Sequence, residues 1–178
     1  MLLNLLDLRK HPGTSTRYRF EENLSPLRVA GEEITFLDPV VVEVLVEHTG
    51  TVLIVRGLIV TRVGLFCNRC LRAIDYPVQV HFELPFVYRE DLEEVGIVVD
   101  SDQETENYEI FEEKPVNLRD LVLENIIMAI PMSISCHADC KGLCFQCGTD
   151  LNEENCHCQP DDFDPRLAVL KDLLKPKN

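Results

Sequence analysis

The stretch TVLIVRGLIVTRVGLFCNRCLRAIDYPVQVHFELPF, residues 51–86, contains two long apolar runs separated by two cysteines. In the second run apolar residues alternate with polar ones, which is the period of a β-strand with one buried face. The apolar positions on that face are Val78, Val80, Phe82, Leu84 and Phe86. Gly57 and Gly64 interrupt the first run and predict bulges or bends there. The stretch therefore predicts a β-hairpin with Cys67 and Cys70 at its tip.

The residues before this hairpin predict a third long strand. Valine occupies every even position from 40 to 46, and HTGT at 48–51 supplies a turn before the next strand. After the hairpin, a helix is predicted over 117–130, with Asn117 as its cap and Asp120 in a capping-box position. A second helix is predicted over 164–174, where Asp164 precedes Pro165. The expected fold is α+β, with an antiparallel sheet and a few helices.

The acidic residues are concentrated in one segment. The chain has a net charge of -14, and residues 90–113 hold eleven acidic and no basic side chains. This segment predicts a mobile loop with one short strand around 96–99, or a solvated acidic face with no specific role. We expect a β-rich domain over 1–131, which includes this acidic loop and the helix over 117–130, and a cysteine-rich module with a C-terminal helix over 132–178.

Six of the eight cysteines lie in CHADCKGLCFQCGTDLNEENCHC, residues 136–158. The spacing of Cys144 and Cys147 is typical of a zinc knuckle, and the following Gly148 suits the positive φ that such a turn often needs. Cys156 and Cys158 follow after a polar, turn-rich excursion. These four cysteines are predicted to form one closed tetrahedral thiolate site.

The four cysteines that remain predict a second site. Cys67 and Cys70 lie at the hairpin tip, and Cys136 and Cys140 follow the first helix closely enough to reach it. Two zinc ions would then use every cysteine, with His137 and His157 as alternative ligands beside the thiolates. The competing interpretation is a redox switch, in which oxidation expels zinc and exposes apolar surface.

Several function classes are not supported by the sequence. The chain has no G-x-S-x-G element, no Walker or dinucleotide-binding glycine loop, and no histidine spacing that indicates a general base. We therefore expect no enzyme activity. No apolar run reaches 18 residues, and residues 1–13 lack the features of a signal peptide, so a cytoplasmic protein without a membrane segment is expected.

The order of these motifs resembles the YceD family, whose proteins are needed for the accumulation of large-subunit ribosomal RNA. The resemblance rests on the knuckle CNRCL at 67–71, the helix LRDLVLENIIMAIPM, the string CKGLCFQCGTDLNEENCHC at 140–158 and the terminal DPRLAVLKDLL. It implies a non-enzymatic factor in ribosome biogenesis that supports processing, stability or assembly of large-subunit ribosomal RNA. The implied partner is that RNA or a pre-ribosomal particle.

Two modes of partner binding are open under this resemblance. RNA contact is predicted at Arg69, Arg72 and Arg62, because the stretch 56–72 is basic and lacks acids and guanidinium groups bind phosphate well. The alternative for these arginines is solvated charge on an edge strand. The other mode is a protein-binding module, in which the acidic segment holds a basic ribosomal protein without RNA contact.

Overall fold

The computed structural model describes residues 1–29, 31–96 and 108–158. Three long β-strands lie in the middle of the chain, and shorter strands and helices precede and follow them. The elements are β1 Leu2–Leu3, α1 Leu6–Arg9, β2 Ser15–Glu22, β3 Leu27–Val29, β4 Glu32–Phe36, β5 Val40–His48, β6 Val52–Phe66, β7 Ala73–Tyr88, α2 Leu92–Val95, β8 Glu109–Phe111, β9 Val116–Asn117 and α3 Arg119–Ala129. The predicted α+β class is confirmed.

The main sheet is antiparallel around β6, its central strand. Strand β2 pairs with β5, β5 with β6 and β6 with β7, all antiparallel. Strand β4 pairs with the end of β6 that β5 does not reach, and β3 completes a hairpin with β4. Strand β8 joins β7 in parallel, and β1 pairs with β9 in a separate two-stranded ladder. The predicted hairpin of β6 and β7 therefore lies at the centre of the fold.

The predicted bulges at Gly57 and Gly64 are wrong. The register of β6 with β7 runs without an extra residue from Val52–Val87 to Phe66–Ala73. Each glycine instead makes room for a neighbour. A methyl group at position 57 would lie 2.2 Å from the ring of Phe82, and one at position 64 would lie 2.5 Å from Thr35 Oγ1. The absence of a side chain, and not a break in the ladder, is what these positions require.

The hydrophobic core lies on one face of this sheet. The even-numbered valines of β5 are buried there as predicted, together with the odd-numbered apolar residues of β6 and, from β7, Val78, Phe82, Phe86 and Tyr88. Leucines of the first eight residues, the N-cap residue of α3 and two residues within α3 cover this face. These covering residues are Leu3, Leu5, Leu8, Leu118, Val122 and Ile126. Burial of this apolar surface stabilises a two-layer arrangement of helix on sheet.

The remaining sequence-based expectations differ in detail. Asn117 ends β9, and its side-chain oxygen accepts a hydrogen bond from the Arg119 amide (3.1 Å), but Leu118 occupies the helix cap without a capping box. The acidic segment contains α2, closed by Gly96, and β8. The predicted strand at 96–99 lies largely outside the described residues, as the helix at 164–174 does entirely. The division at residue 131 stays a prediction.

Candidate metal centre

The structure gathers the eight cysteines into two clusters. In each cluster the four sulfur atoms lie within 4.8 Å of one another, so that each could hold a metal ion. Site 1 comprises Cys67, Cys70, Cys136 and Cys140, and site 2 comprises Cys144, Cys147, Cys156 and Cys158. These groupings match the sets that the spacing predicts. Both sets consist of sulfur alone, without His137 or His157.

The distances between sulfur atoms fit a tetrahedral thiolate site. A Zn–S bond of about 2.3 Å places the sulfurs of a regular tetrahedron about 3.8 Å apart. In site 1, Cys67 Sγ lies 3.8 Å from Cys140 Sγ, and Cys70 Sγ lies 3.6 Å from Cys136 Sγ. In site 2, Cys156 Sγ lies 3.6 Å from Cys147 Sγ and 3.3 Å from Cys144 Sγ. All eight cysteines are free thiols, separated by far more than a disulfide bond length.

The tip of the β6–β7 hairpin shapes half of site 1. The Leu71 amide donates to the Cys67 carbonyl (2.9 Å), and the Cys67 amide donates to the Arg72 carbonyl (2.8 Å), which closes a tight turn. Two further amides, those of Arg69 and Cys136, donate to Cys67 Sγ, each at 3.4 Å. Such N–H donors stabilise a thiolate and fix its orientation.

The second knuckle repeats the turn of the first. The Gly148 amide donates to the Cys144 carbonyl at 2.9 Å, which corresponds to the bond from Leu71 to Cys67. Gly148 has a φ of 76°, and Leu71, at the equivalent position, has a φ of 59°. The left-handed conformation is free of cost for glycine but costs an L-residue about 1–2 kcal/mol. Site 1 therefore carries backbone strain at Leu71 that site 2 lacks.

The two sites differ in burial. In site 1, Cys67 is 0% exposed, Cys140 and Cys70 are also buried, and Cys136 is half-buried. With Ile74 and Leu143 these thiols form a small apolar cluster, separate from the main core. In site 2, Cys144 is buried, Cys156 is half-buried, and Cys147 and Cys158 are exposed. Solvent therefore reaches the sulfurs of site 2 much more easily.

The thiol pKa values show the effect of crowding. Burial raises the pKa of Cys67, but hydrogen bonds from the backbone amides of Cys70, Arg69 and Cys136 together lower it by more. The resulting pKa is about 6. Burial, with hydrogen bonds from neighbouring thiols, raises the pKa of Cys136 to about 12. In site 2 a hydrogen bond with Thr149 contributes most to a pKa of about 6 for Cys147, and one with Cys156 to a pKa of about 12 for Cys158. A divalent cation would supply the charge that lets all four thiols of a site ionise.

The cysteine-rich segment is attached to the hairpin tip by polar contacts as well as sulfur. Asn68 donates its amide to the Ile134 carbonyl (2.9 Å) and accepts the Ile134 amide with its side-chain oxygen (2.8 Å). The Arg69 guanidinium donates to the Cys140 carbonyl at 2.8 Å. Because these bonds join residues 66 or more positions apart, they fix the position of the segment against the sheet.

Sequence reasoning missed Gly142 and Asn152. Gly142 has a φ of 77°, and a methyl group there would lie 3.0 Å from the Arg69 carbonyl oxygen, which accepts the Leu143 amide. Asn152 lies between the knuckle of site 2 and Cys156, and its side-chain amide donates to Cys140 Sγ of site 1 at 3.4 Å. The sequence signal was the pair Asp150 and Asn152, since Asp150 accepts the Asn152 amide (2.9 Å) as in an Asx turn.

The three arginines predicted to contact RNA have partners within the chain. Arg62 makes a two-pronged ion pair with Asp38 (2.6 and 3.0 Å). Arg72 lies 2.6 Å from a Glu153 carboxylate oxygen and 3.4 Å from one of Asp150. Arg69 binds the Cys140 carbonyl, as described above. Arg69 and Arg72 thus attach the cysteine-rich segment to the hairpin, and contact with RNA stays a prediction.

Comparison with known proteins places this architecture in a family. A family model described as "Large ribosomal RNA subunit accumulation protein YceD" matches residues 55–174, a range that contains all eight cysteines. The chain belongs to this family. The YceD match begins within β6 and so includes the hairpin tip and the segment after α3, which together supply site 1.

One of the relatives below carries the family name, and the other two are uncharacterized proteins with similar sequences. An uncharacterized protein of Mycobacterium tuberculosis is 27% identical over 189 residues, which span 100% of this chain and 83% of the relative. The "Large ribosomal RNA subunit accumulation protein YCED homolog 1, chloroplastic" of Zea mays is 27% identical over 121 residues, 63% of this chain and 41% of the relative. The YlbN protein of Bacillus subtilis is 30% identical over 113 residues, 61% of this chain and 59% of the relative.

No solved structure matches the chain. Within the part of the chain that the structure describes, no helix has the length and apolar character needed to cross a bilayer.

Proposed function

We propose that this chain is a non-enzymatic, cytoplasmic factor that supports the accumulation of large-subunit ribosomal RNA, with structural zinc in both cysteine clusters. The observation that carries this proposal is membership of the YceD family over residues 55–174. The family description names an effect on RNA accumulation and not a reaction. Assembly with pre-ribosomal particles would protect large-subunit RNA from degradation.

Zinc fits both donor sets. Each set offers four thiols at spacings close to those of a tetrahedral Zn–S site. A bound zinc ion would supply positive charge to the thiolates and leave no open position for a substrate, so that its contribution is to folding. Metal analysis of the purified chain should give two zinc ions, and Cys70→Ser and Cys147→Ser should each lose one. A preparation that is folded without metal would contradict the assignment.

The role in RNA accumulation is tested in cells. Deletion of the gene should lower the ratio of large-subunit to small-subunit ribosomal RNA, and the wild-type chain should restore it. The chain should also sediment with large-subunit precursors. A chain found only in fractions free of ribosomal particles, with an unchanged RNA ratio after deletion, would overturn the proposal.

A second candidate function is the binding of a basic ribosomal protein without direct RNA contact. It is favoured by the ion pairs that occupy Arg62 and Arg72 and by the net charge of -14, because phosphate is repelled by an acidic surface. Association with precursors that survives nuclease treatment but is weakened by salt would support this candidate. Loss of association on nuclease treatment would support direct RNA binding through the arginines.

A further inference from the structure

A groove opens beside the tip of the β6–β7 hairpin. Its volume is about 580 Å³, and its lining includes apolar side chains of that hairpin and acidic residues from the start of β4. The residues that matter for its chemistry are Glu32, Glu33, Leu65, Phe66 and Leu71. Phe66 is 61% exposed and Leu71 is 63% exposed. Exposed apolar side chains next to polar ones are typical of interaction sites.

Leu71 is the unusual residue of this groove. It holds a positive φ of 59°, the only described non-glycine residue to do so, while its side chain is exposed to solvent. The equivalent position of the second knuckle is Gly148, which makes the same backbone hydrogen bond at the same distance of 2.9 Å. The turn therefore does not need a side chain here. A leucine kept in a disfavoured conformation without burial points to a contact outside the chain.

The charge of the groove selects the kind of partner. Glu32 and Glu33 contribute carboxylates, and none of the described residues that line the groove is basic. Glu33 lies 3.7 Å from the exposed guanidinium of Arg28, a weak pair. A partner that buries Leu71 and Phe66 beside two carboxylates gains most if it carries an apolar side chain flanked by lysine or arginine. Nucleic acid would place phosphates against these carboxylates.

The groove is also held rigid. Cys67, a buried cysteine of site 1, lines it together with Asn68. Asn68 makes two hydrogen bonds with the backbone of Ile134. The apolar residues therefore extend from a tip that is fixed by the four sulfurs of site 1 and by two hydrogen bonds between Asn68 and Ile134, one to the backbone and one to the side chain of Asn68. A rigid surface loses little conformational freedom when a partner binds, which favours affinity.

We propose that this groove, defined by Glu32, Glu33, Phe66 and Leu71, docks a basic polypeptide segment that inserts a large apolar side chain against Leu71. The inference rests on the proposed function for its partner class, a basic protein of the large ribosomal subunit. It places the contact at the metal-braced hairpin tip and not in the acidic segment 90–113.

Photo-crosslinking locates the partner. The full-length, metal-loaded chain carries benzoylphenylalanine in place of Phe66 and is mixed with nuclease-treated proteins of the large subunit. We expect crosslinks to peptides that contain lysine or arginine and a large apolar residue. The control is the same substitution at Phe145, an 82% exposed aromatic residue in the second knuckle. Absence of crosslinks, equal crosslinks from position 145, or crosslinks to a second copy, to residues 159–178 or to residual RNA would each overturn the proposal.

The affinity of the chain for the partner protein that crosslinking identifies then tests the role of Leu71. Leu71→Gly removes the side chain and relieves the positive φ, so the melting temperature and the zinc content should not fall. Binding should weaken by about tenfold or more, because a buried leucine side chain contributes that much to an interface. Glu32→Lys should weaken binding and reduce its dependence on salt, whereas Phe145→Ser should leave it unchanged. Unchanged binding by Leu71→Gly would overturn the proposal.

Failure of this inference and failure of the proposed function are distinguishable. If the wild-type chain and Leu71→Gly sediment equally with large-subunit precursors, the groove is not the docking site and the function stands. If the wild-type chain does not sediment with precursors and deletion leaves the RNA ratio unchanged, the function fails whatever the groove binds.

Discussion

Site 1 and site 2 use the same turn but perform different structural tasks. Site 1 takes two cysteines from the central hairpin and two from the segment after α3, so its cysteines span residues 67–140. Site 2 takes all four from residues 144–158, within one loop. Site 1 is largely buried, and site 2 exposes Cys147 and Cys158. One cluster therefore joins distant parts of the fold, and the other shapes a local excursion.

The two sites differ in whether buried thiols contribute to the packing around them. At site 1 the buried thiols and Leu143 form the apolar contact between the segment and the hairpin, so a metal there would replace a hydrophobic core that the segment lacks. At site 2 the loop is polar and depends on its own turns. A metal that closes a long loop removes more conformational freedom from the unfolded chain than one that closes a short loop. We expect site 1 to carry most of the metal-dependent stability.

The largest effect is expected for Cys70→Ser, which removes one cysteine of site 1, and it is compared with Cys147→Ser, which removes one cysteine of site 2. Cys70→Ser should lower the melting temperature by more than about 10 °C, because loss of a structural metal is among the most destabilising single changes. It should also release residues 132–158, measured as faster amide hydrogen exchange there. Cys147→Ser should leave exchange in β6 and β7 unchanged and speed it only within 144–158. Equal effects of the two variants would contradict the division of tasks.

The second effect concerns access to the metal. A chelator with a chromogenic readout should remove one zinc ion at least about tenfold faster than the other, because two sulfurs of site 2 are exposed and three of site 1 are buried. Mild peroxide should oxidise the thiolates of site 2 before those of site 1, since exposed thiolates oxidise first. Cys147→Ser, which lacks site 2, should show the slow phase alone. A single rate for both ions in the wild-type chain would refute the ordering.

The third effect compares two glycines that share a positive φ. Gly148→Ala should cost about 1–2 kcal/mol, the cost of the left-handed conformation alone, since no atom of the described residues beyond its two chain neighbours lies within 4 Å of the added methyl group. Gly142→Ala should cost more, about 2–4 kcal/mol, because its methyl group also lies 3.0 Å from the Arg69 carbonyl oxygen. Chemical denaturation of the two zinc-loaded variants measures this difference. Equal costs would mean that the contact between Gly142 and Arg69 does not brace the segment.

Much of this architecture could be predicted from residue periodicity and cysteine spacing. Two long apolar runs, the second of them alternating, located the strands of the central hairpin, and the count and spacing of the cysteines located the two groupings of sulfurs. The glycines of β6 were misinterpreted, because a glycine that breaks a ladder and one that admits Phe82 look the same in sequence. The distinction depends on which residue of β7 lies opposite, a register that local sequence does not encode.

The hydrogen bonds and ion pairs that attach the cysteine-rich segment to the rest of the fold could not be predicted either. Asn152 reaches Cys140 only because the loop of site 2 folds back on site 1. Arg69 and Arg72 looked like a phosphate-binding pair because their partners, the Cys140 carbonyl for Arg69 and the carboxylates of Asp150 and Glu153 for Arg72, are far away in the chain. Arg72 and Glu153 are 81 residues apart, and charges that meet over such a separation leave no local pattern.

The smallest effect tests that reinterpretation of Arg72. Arg72→Gln removes exposed ion pairs to Asp150 and Glu153, so amide exchange in 142–153 should speed up by only about two- to fivefold, and less at high salt. Arg62→Gln is the matched control, since it removes a similarly exposed pair to Asp38 on the sheet and should leave exchange in 142–153 unchanged. If Arg72 instead contacts phosphate, its replacement should weaken sedimentation with large-subunit precursors and leave exchange untouched. The two measurements together therefore decide whether this arginine attaches the segment to the hairpin or binds RNA.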